Sequence, residues 1–133
     1  MKKTILILAC CSVLIYGFAG KEHSNSELAK AVHQVESSGR TGGKIIGDNG
    51  KAIGPLQIHF ENWKDATDFD KSIGGKYSDC HDLKYSQLIF DAYLRRYGKG
   101  KSAEERARIW NGGPKGNEKS ATKRYWKEVK KNL

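Results

Sequence analysis

Residues 33–59 read HQVESSGRTGGKIIGDNGKAIGPLQIH, and three changes of texture inside this stretch set the fold. It opens on the end of an apolar-periodic segment that carries Glu36. It continues through five glycines (Gly42, Gly43, Gly47, Gly50 and Gly54) interleaved with Ile45, Ile46 and Ile53. It closes on Gly54-Pro55-Leu56-Gln57-Ile58, which starts the next element. Upstream, Ser24 with Glu27 three residues later is a capping box, in which the hydroxyl and the carboxylate each take a backbone N–H at a helix start. Leu28, Ala31, Val32 and Val35 follow at i, i+3, i+4 and i+7, one buried face, and Ser37-Ser38-Gly39 supplies the stop. A helix ending there puts Glu36 in its last turn.

Asp48-Asn49-Gly50 predicts a two-residue hairpin turn, because Asn-Gly tolerates the positive φ that such turns require. The segment therefore reads as a small antiparallel hairpin beside the first helix, forming the opposite wall of a cleft with Asp48 at its tip. Pro55 reads as the first position of a second helix with Leu56, Phe60 and Trp63 on one face, and Gln57 then projects near the cleft. Thr67 to Tyr77 reads as loop. Tyr85, Leu88, Ile89, Ala92, Tyr93 and Tyr97 form a long helical stripe closed by Gly98. Ser102 and Glu105 cap a helix running to about Trp110, and Asn111-Gly112-Gly113-Pro114 ends it. Tyr125, Trp126, Val129 and Leu133 restore helical spacing. The expected class is α+β, mainly α.

The 133-residue chain carries 24 Lys and Arg against 15 acids, a formal charge of +9. Such a balance attracts polyanions but does not choose among them. The first residues, MKKTILILACCSVLIYGFAG, have a basic start, an apolar run and small residues at Gly17 and Ala19, the pattern of a secretory signal peptide over 1–19. The apolar run falls short of a spanning helix. The mature domain, 20–133, is then secreted or periplasmic, without a stable membrane anchor, and still carries 22 basic residues against 15 acidic, or +7. Cys10 and Cys11 leave with the leader, so Cys80 stays without an internal disulfide partner. The run Ser78-Asp79-Cys80-His81-Asp82 reads as a solvated loop with a stray thiol, not as a metal site.

The chemistry concentrates in two carboxylates. A Glu in the last turn of a helix faces the negative end of the helix dipole, and burial beside Val32 and Val35 acts in the same direction, so its pKa rises and it suits general acid work. Position alone leaves a surface Glu at a frayed end equally open. Asp48 at a turn is, on this residue alone, explained better by a side-chain bond to its own backbone than by catalysis. Together, two carboxylates on separate pieces around a bend fit glycosidic cleavage, in which one group donates a proton and the other handles developing positive charge. No metal or cofactor is needed for such a step. Trp63 and Trp126 read as core, while Trp110, beside the Asn-Gly-Gly turn, reads as a cleft residue. The basic residues Lys123, Arg124, Lys127, Lys130 and Lys131 carry no recognised nucleic-acid motif.

Val35-Glu36-Ser37-Ser38-Gly39, Gly47-Asp48, Gly54-Pro55-Leu56-Gln57-Ile58, Tyr93-Leu94-Arg95-Arg96-Tyr97, Arg108-Ile109-Trp110-Asn111-Gly112-Gly113-Pro114 and Tyr125-Trp126 together resemble the invertebrate-type lysozymes, or destabilase family, over nearly the whole mature chain. The resemblance implies a lysozyme-like fold and hydrolysis of the β-1,4 bond between N-acetylmuramic acid and N-acetylglucosamine in peptidoglycan. It places Glu36 as general acid, Asp48 as second carboxylate, and Gln57, Trp110, Asn111 and Gly112 as substrate-binding residues. Peptidoglycan glycan strands are the implied partner, with a protein inhibitor as a second. The chain departs from the family in having a single mature cysteine and in carrying Trp110 where a His is common. Glu36-Ser37-Ser38 with Gly-Pro-Leu-Gln-Ile also resembles the lytic transglycosylase domain. That likeness implies Glu36 acting alone and a 1,6-anhydro product, and a non-catalytic glycan-binding protein of the same fold is a third reading.

Overall fold

Ser24 starts the first helix as its sequence requires: its hydroxyl accepts from the Glu27 N–H, and the Glu27 carboxylate accepts from the Ser24 N–H at 2.8 Å. The computed structural model describes residues 22–133, so the expected leader, 1–19, lies outside the described residues. Among the described residues the chain runs α1 (Asn25–Ser37), β1 (Ile46–Gly47), β2 (Ala52–Ile53), β3 (Ile58–His59), α2 (Phe60–Phe69), α3 (Leu83–Tyr97), α4 (Ala103–Gly112) and α5 (Thr122–Lys130). Short 3₁₀ turns occupy Asp48–Gly50, Tyr77–His81 and Gly116–Glu118. The class is α+β, mainly helical, as expected.

Leu28, Ala31 and Val32 of α1 are buried against Ile89, Phe90, Tyr93 and Leu94 of α3, Ile109 of α4 and Val129 of α5. Each large apolar side chain taken out of water contributes about 1.5–3 kcal/mol. Leu88, expected in the α3 stripe, is instead 53% exposed. Helix α3 packs on α1, α2 and α4 at once, and the arc it buries is centred one residue later, on Ile89-Phe90 and Tyr93-Leu94. The 3:4 periodicity marks a stripe but not its edges.

The sheet has three strands, not two. Ile46 pairs with Ile53 and Gly47 with Ala52; Ile53 then pairs with Ile58 and Ala52 with His59, all antiparallel. The connection from β1 to β2 spans residues 48–51 rather than a two-residue turn, with Asp48 and Asn49 both at positive φ (47° and 54°). The helix expected from Pro55 does not form there. Gly54 to Gln57 is a turn, closed by the Gln57 N–H donating to the Gly54 carbonyl at 3.0 Å, and α2 begins only at Phe60. Pro presets the same φ for the second residue of a turn and for the first residue of a helix, so Pro55 did not distinguish them. Pro55 and Leu56 are fully buried, which anchors the turn. Gly54, at φ +77°, also passes close to another segment: a Cβ there would lie 1.7 Å from the Cys80 carbonyl oxygen. Helix α2 runs through Thr67 to Phe69, three residues into the expected loop.

Cys80 corrects a further expectation. It lies in a 3₁₀ turn with no exposed surface, and burial pushes its thiol up to about 12. Among the described residues no group of three or more His, Cys, Asp or Glu is placed to hold a metal ion.

Candidate active site

The end of α1, the small sheet, the start of α2 and the end of α4 enclose a cleft of about 480 Å³, bordered by Glu36, Asp48, Gln57, His59, Trp110 and Asn111. Its position follows from how α1 stops. Ser38 takes the left-handed conformation (φ 55°), and the Ser38 and Gly39 N–H groups donate back to the Gln34 and His33 carbonyls at 3.0 and 3.2 Å, the αL closure of a helix. The buried Ser37 hydroxyl then donates to the Pro55 carbonyl at 2.9 Å. That bond ties the end of α1 to the Gly54–Gln57 turn and fixes Glu36 relative to Gln57.

Gln57 is held in turn. Its Nε2 donates to the Gly54 carbonyl at 2.9 Å, and its Oε1 lies over Gly47, where a Cβ would come within 1.8 Å of it. Gly47 therefore leaves the space that Gln57 Oε1 occupies, which links two of the sequence motifs. Asp48, next along, is 54% exposed, with Oδ2 at 3.5 Å from Nε2 of His59. The turn carries it across the sheet to the third strand. It faces the same cleft as Glu36, as expected.

Glu36 is half-buried. Loss of water around it raises its pKa from 4.5 to about 7. The opposing contribution comes from α5: the Tyr125 hydroxyl donates to Glu36 Oε1 at 2.6 Å, which favours the ionised form and lowers the pKa. Burial wins. Tyr125 itself is pushed well above its ordinary 10 by burial and by the adjacent carboxylate, so it remains a donor throughout the working range. Of the two causes expected from the sequence, helix dipole and burial, burial is the one that raises the Glu36 pKa here.

The remaining expected residues divide. Asn111 is exposed and borders the cleft. Trp110 borders it too, but is only 4% exposed, its ring packed against Phe90 (centroids 4.7 Å apart) and edge-on to Tyr93 (5.6 Å). It borders the cleft, where it was expected, but as a core residue that presents only a small part of its surface there. Gly112 faces away: a Cβ there would meet Thr122 Cγ2 at 2.6 Å, and Gly113 borders the cleft instead. Trp63 and Trp126 pack half-buried against the core as expected.

Sequence reasoning missed His59, Glu61 and Asn62, which border the cleft, and the Tyr125–Glu36 bond. His59 followed from assigning a strand instead of a helix to Ile58-His59. Tyr125 was marked by helical spacing and by the Tyr125-Trp126 pair of the family resemblance, neither of which signals a bond to a site residue.

No protein-family model matches the chain. Over 110 residues, 79% of the chain, it is 34% identical to Lysozyme 1 of Crassostrea virginica. The match covers 58% of that relative, so the chain spans less than two thirds of its length. The fold superposes with a TM-score of 0.67 and 28% identity on a chain of the crystal structure of Aeromonas hydrophila PliI in complex with Meretrix lusoria lysozyme, covering 86% of this chain and 93% of that one. For Tapes japonica lysozyme the TM-score is 0.66 at 27% identity, over 79% of this chain and 87% of the other.

Proposed function

We propose that the chain, similar in sequence and fold to the lysozymes named above, is an invertebrate-type lysozyme, a peptidoglycan-cleaving glycosidase of the muramidase type. The supporting observation is a carboxyl group held near half-protonation at neutral pH, Glu36, in a cleft that also receives the exposed carboxylate Asp48. A general acid works best when its pKa lies near the operating pH.

Glu36 gives its proton to the bridging oxygen as the bond from that oxygen to the anomeric carbon breaks. Oε1 already accepts from Tyr125, so Oε2 is the oxygen that carries the proton to the sugar. The Tyr125 bond strengthens as the carboxylate becomes charged, which stabilises the state formed during transfer. Asp48 faces the positive charge that grows on the ring, by attack or by electrostatic stabilisation, and water completes the cleavage. Gln57 and Asn111 supply amide donors and acceptors for sugar hydroxyl and acetamido groups.

The domain acts outside the cytoplasm, on glycan strands of a cell wall. Export rests on the leader pattern of residues 1–19; among the described residues no helix is long and apolar enough to cross a membrane. A protein inhibitor that covers the cleft is a fitting partner, since a relative of similar fold is described in complex with PliI.

The test is mass spectrometry of fragments released from purified peptidoglycan by the mature protein, with Glu36→Gln and Asp48→Asn alongside. Reducing ends, with both variants at least 100-fold slower as loss of acid–base catalysis implies, support the two-carboxylate reading. Anhydro ends with an active Asp48→Asn would replace it with a lytic transglycosylase using Glu36 alone. Release of nothing from several wall types would leave a glycan-binding protein.

A further inference from the structure

Helices α1, α2 and α4 each offer one end to the cleft and the other to a second cavity of about 440 Å³. At 1.5 Å of rise per residue, Asn25 in this cavity stands about 16 Å along α1 from Glu36. The walls carry Arg95, Lys99, Lys101 and Arg106 against one carboxylate, Glu22, and the apolar part of the lining is Phe69 and Leu94.

The four cations are not equivalent. Arg95 is compensated by Asp70 at 2.5 Å and Asp91 at 2.8 Å. Arg106 is not. It is only 8% exposed, yet its guanidinium donates only to neutral acceptors, Asn25 Oδ1 at 2.5 Å and the His23 carbonyl. Its Nε finds no acceptor, and among the described residues no carboxylate forms an ion pair with it. An arginine stays charged inside a protein, and an uncompensated charge taken out of water is unfavourable. Gly98 makes room for it: a Cβ there would lie 2.8 Å from Arg106 Cγ. The fold thus holds a desolvated guanidinium, without a counter-ion of its own, at the wall of an open cationic cavity.

We propose that this cavity binds an oxyanion, a phosphate or carboxylate group. Arg106 supplies the compensating charge at its base, and Lys99 and Lys101 flank its mouth. The exposed ring of Phe69 receives the carbon skeleton to which the anion is attached. The inference stands apart from the chemistry assigned to the cleft.

The experiment is a side-chain and backbone ¹⁵N NMR titration of the mature chain with sodium phosphate, then with sodium acetate, against sodium chloride at matched ionic strength. A saturable shift of the Arg106 Nε–H and of the Lys99 to Lys101 amides, at least tenfold weaker in Lys99→Ala/Lys101→Ala, is the expected result. Saturation by phosphate alone identifies a phosphate-bearing ligand; saturation by both probes identifies the wider oxyanion class. These lysines lie in an open turn, so the double variant retains the fold, whereas Arg106→Gln risks unfolding it. Shifts that follow ionic strength without saturating, that appear equally in chloride, or that persist unchanged in the double variant would overturn the proposal.

Discussion

The Tyr125 hydroxyl donates to Glu36 Oε1 at 2.6 Å across a separation of 89 residues. Burial drives the Glu36 proton on, and this bond favours its release, so the pKa near 7 is a balance between an environment and one partner. The two influences can be separated by substitution.

Tyr125→Phe removes the influence that favours ionisation. The Glu36 pKa is expected to rise, moving the alkaline limb of the pH–activity profile upward. The limiting rate should fall by about tenfold or more, since a hydrogen bond to a charged group contributes about 1.5–3 kcal/mol. A profile with an unmoved alkaline limb would show that the phenol does not govern this proton.

The same raised pKa links stability to pH. Between 4.5 and about 7 the native state holds a proton on Glu36 that the unfolded chain has released, so stability falls as pH rises through this window. Glu36→Gln lacks the dependence. It is expected to match wild type near pH 4 and to exceed it by up to about 3 kcal/mol near pH 8, as measured by urea unfolding at the two pH values.

Gly47→Ala tests how Gln57 is placed. The new methyl group would sit on Gln57 Oε1, and the far end of a flexible side chain can move aside. Substrate affinity should weaken several-fold while the unfolding midpoint changes little. Gly54→Ala differs: its Cβ meets the backbone carbonyl of Cys80 at positive φ, and a loss of about 2 kcal/mol or more is expected in equilibrium unfolding.

Cys80, buried and with its thiol pushed up to about 12, should resist alkylation in the native state and react fully in 6 M guanidinium, roughly the concentration that unfolds even hyperstable domains. Rapid native labelling would place it in an accessible loop.

The capping boxes at Ser24 and Ser102, the apolar face of α1 and the place of Glu36 were legible because each depends on residues within two turns of one another. The limits of the same reasoning show at Pro55, whose fixed φ serves a turn and a helix alike, and at Leu88, which has the spacing of a core residue on an exposed edge. Tyr125 and Trp110 show the longer-range limit. Tyr125 has helical spacing and Trp110 a place beside the Asn-Gly-Gly turn, and only the docking of α5 on α1 and of α4 on α3 decides that one bonds a carboxyl and the other is packed against Phe90 at the cleft border. Gly47 and Gly54 were visible as residues, but their reasons, Gln57 Oε1 and the Cys80 carbonyl, belong to tertiary structure.

The helix bearing Tyr125 also gives the protein a birth order. During synthesis α1 leaves the ribosome first, and the phenol that engages Glu36 follows 89 residues later. Until α5 docks, Glu36 lacks the hydroxyl that favours its ionised form, and the nascent chain carries the acid without that partner. Competence then arrives late, as a product of completed folding.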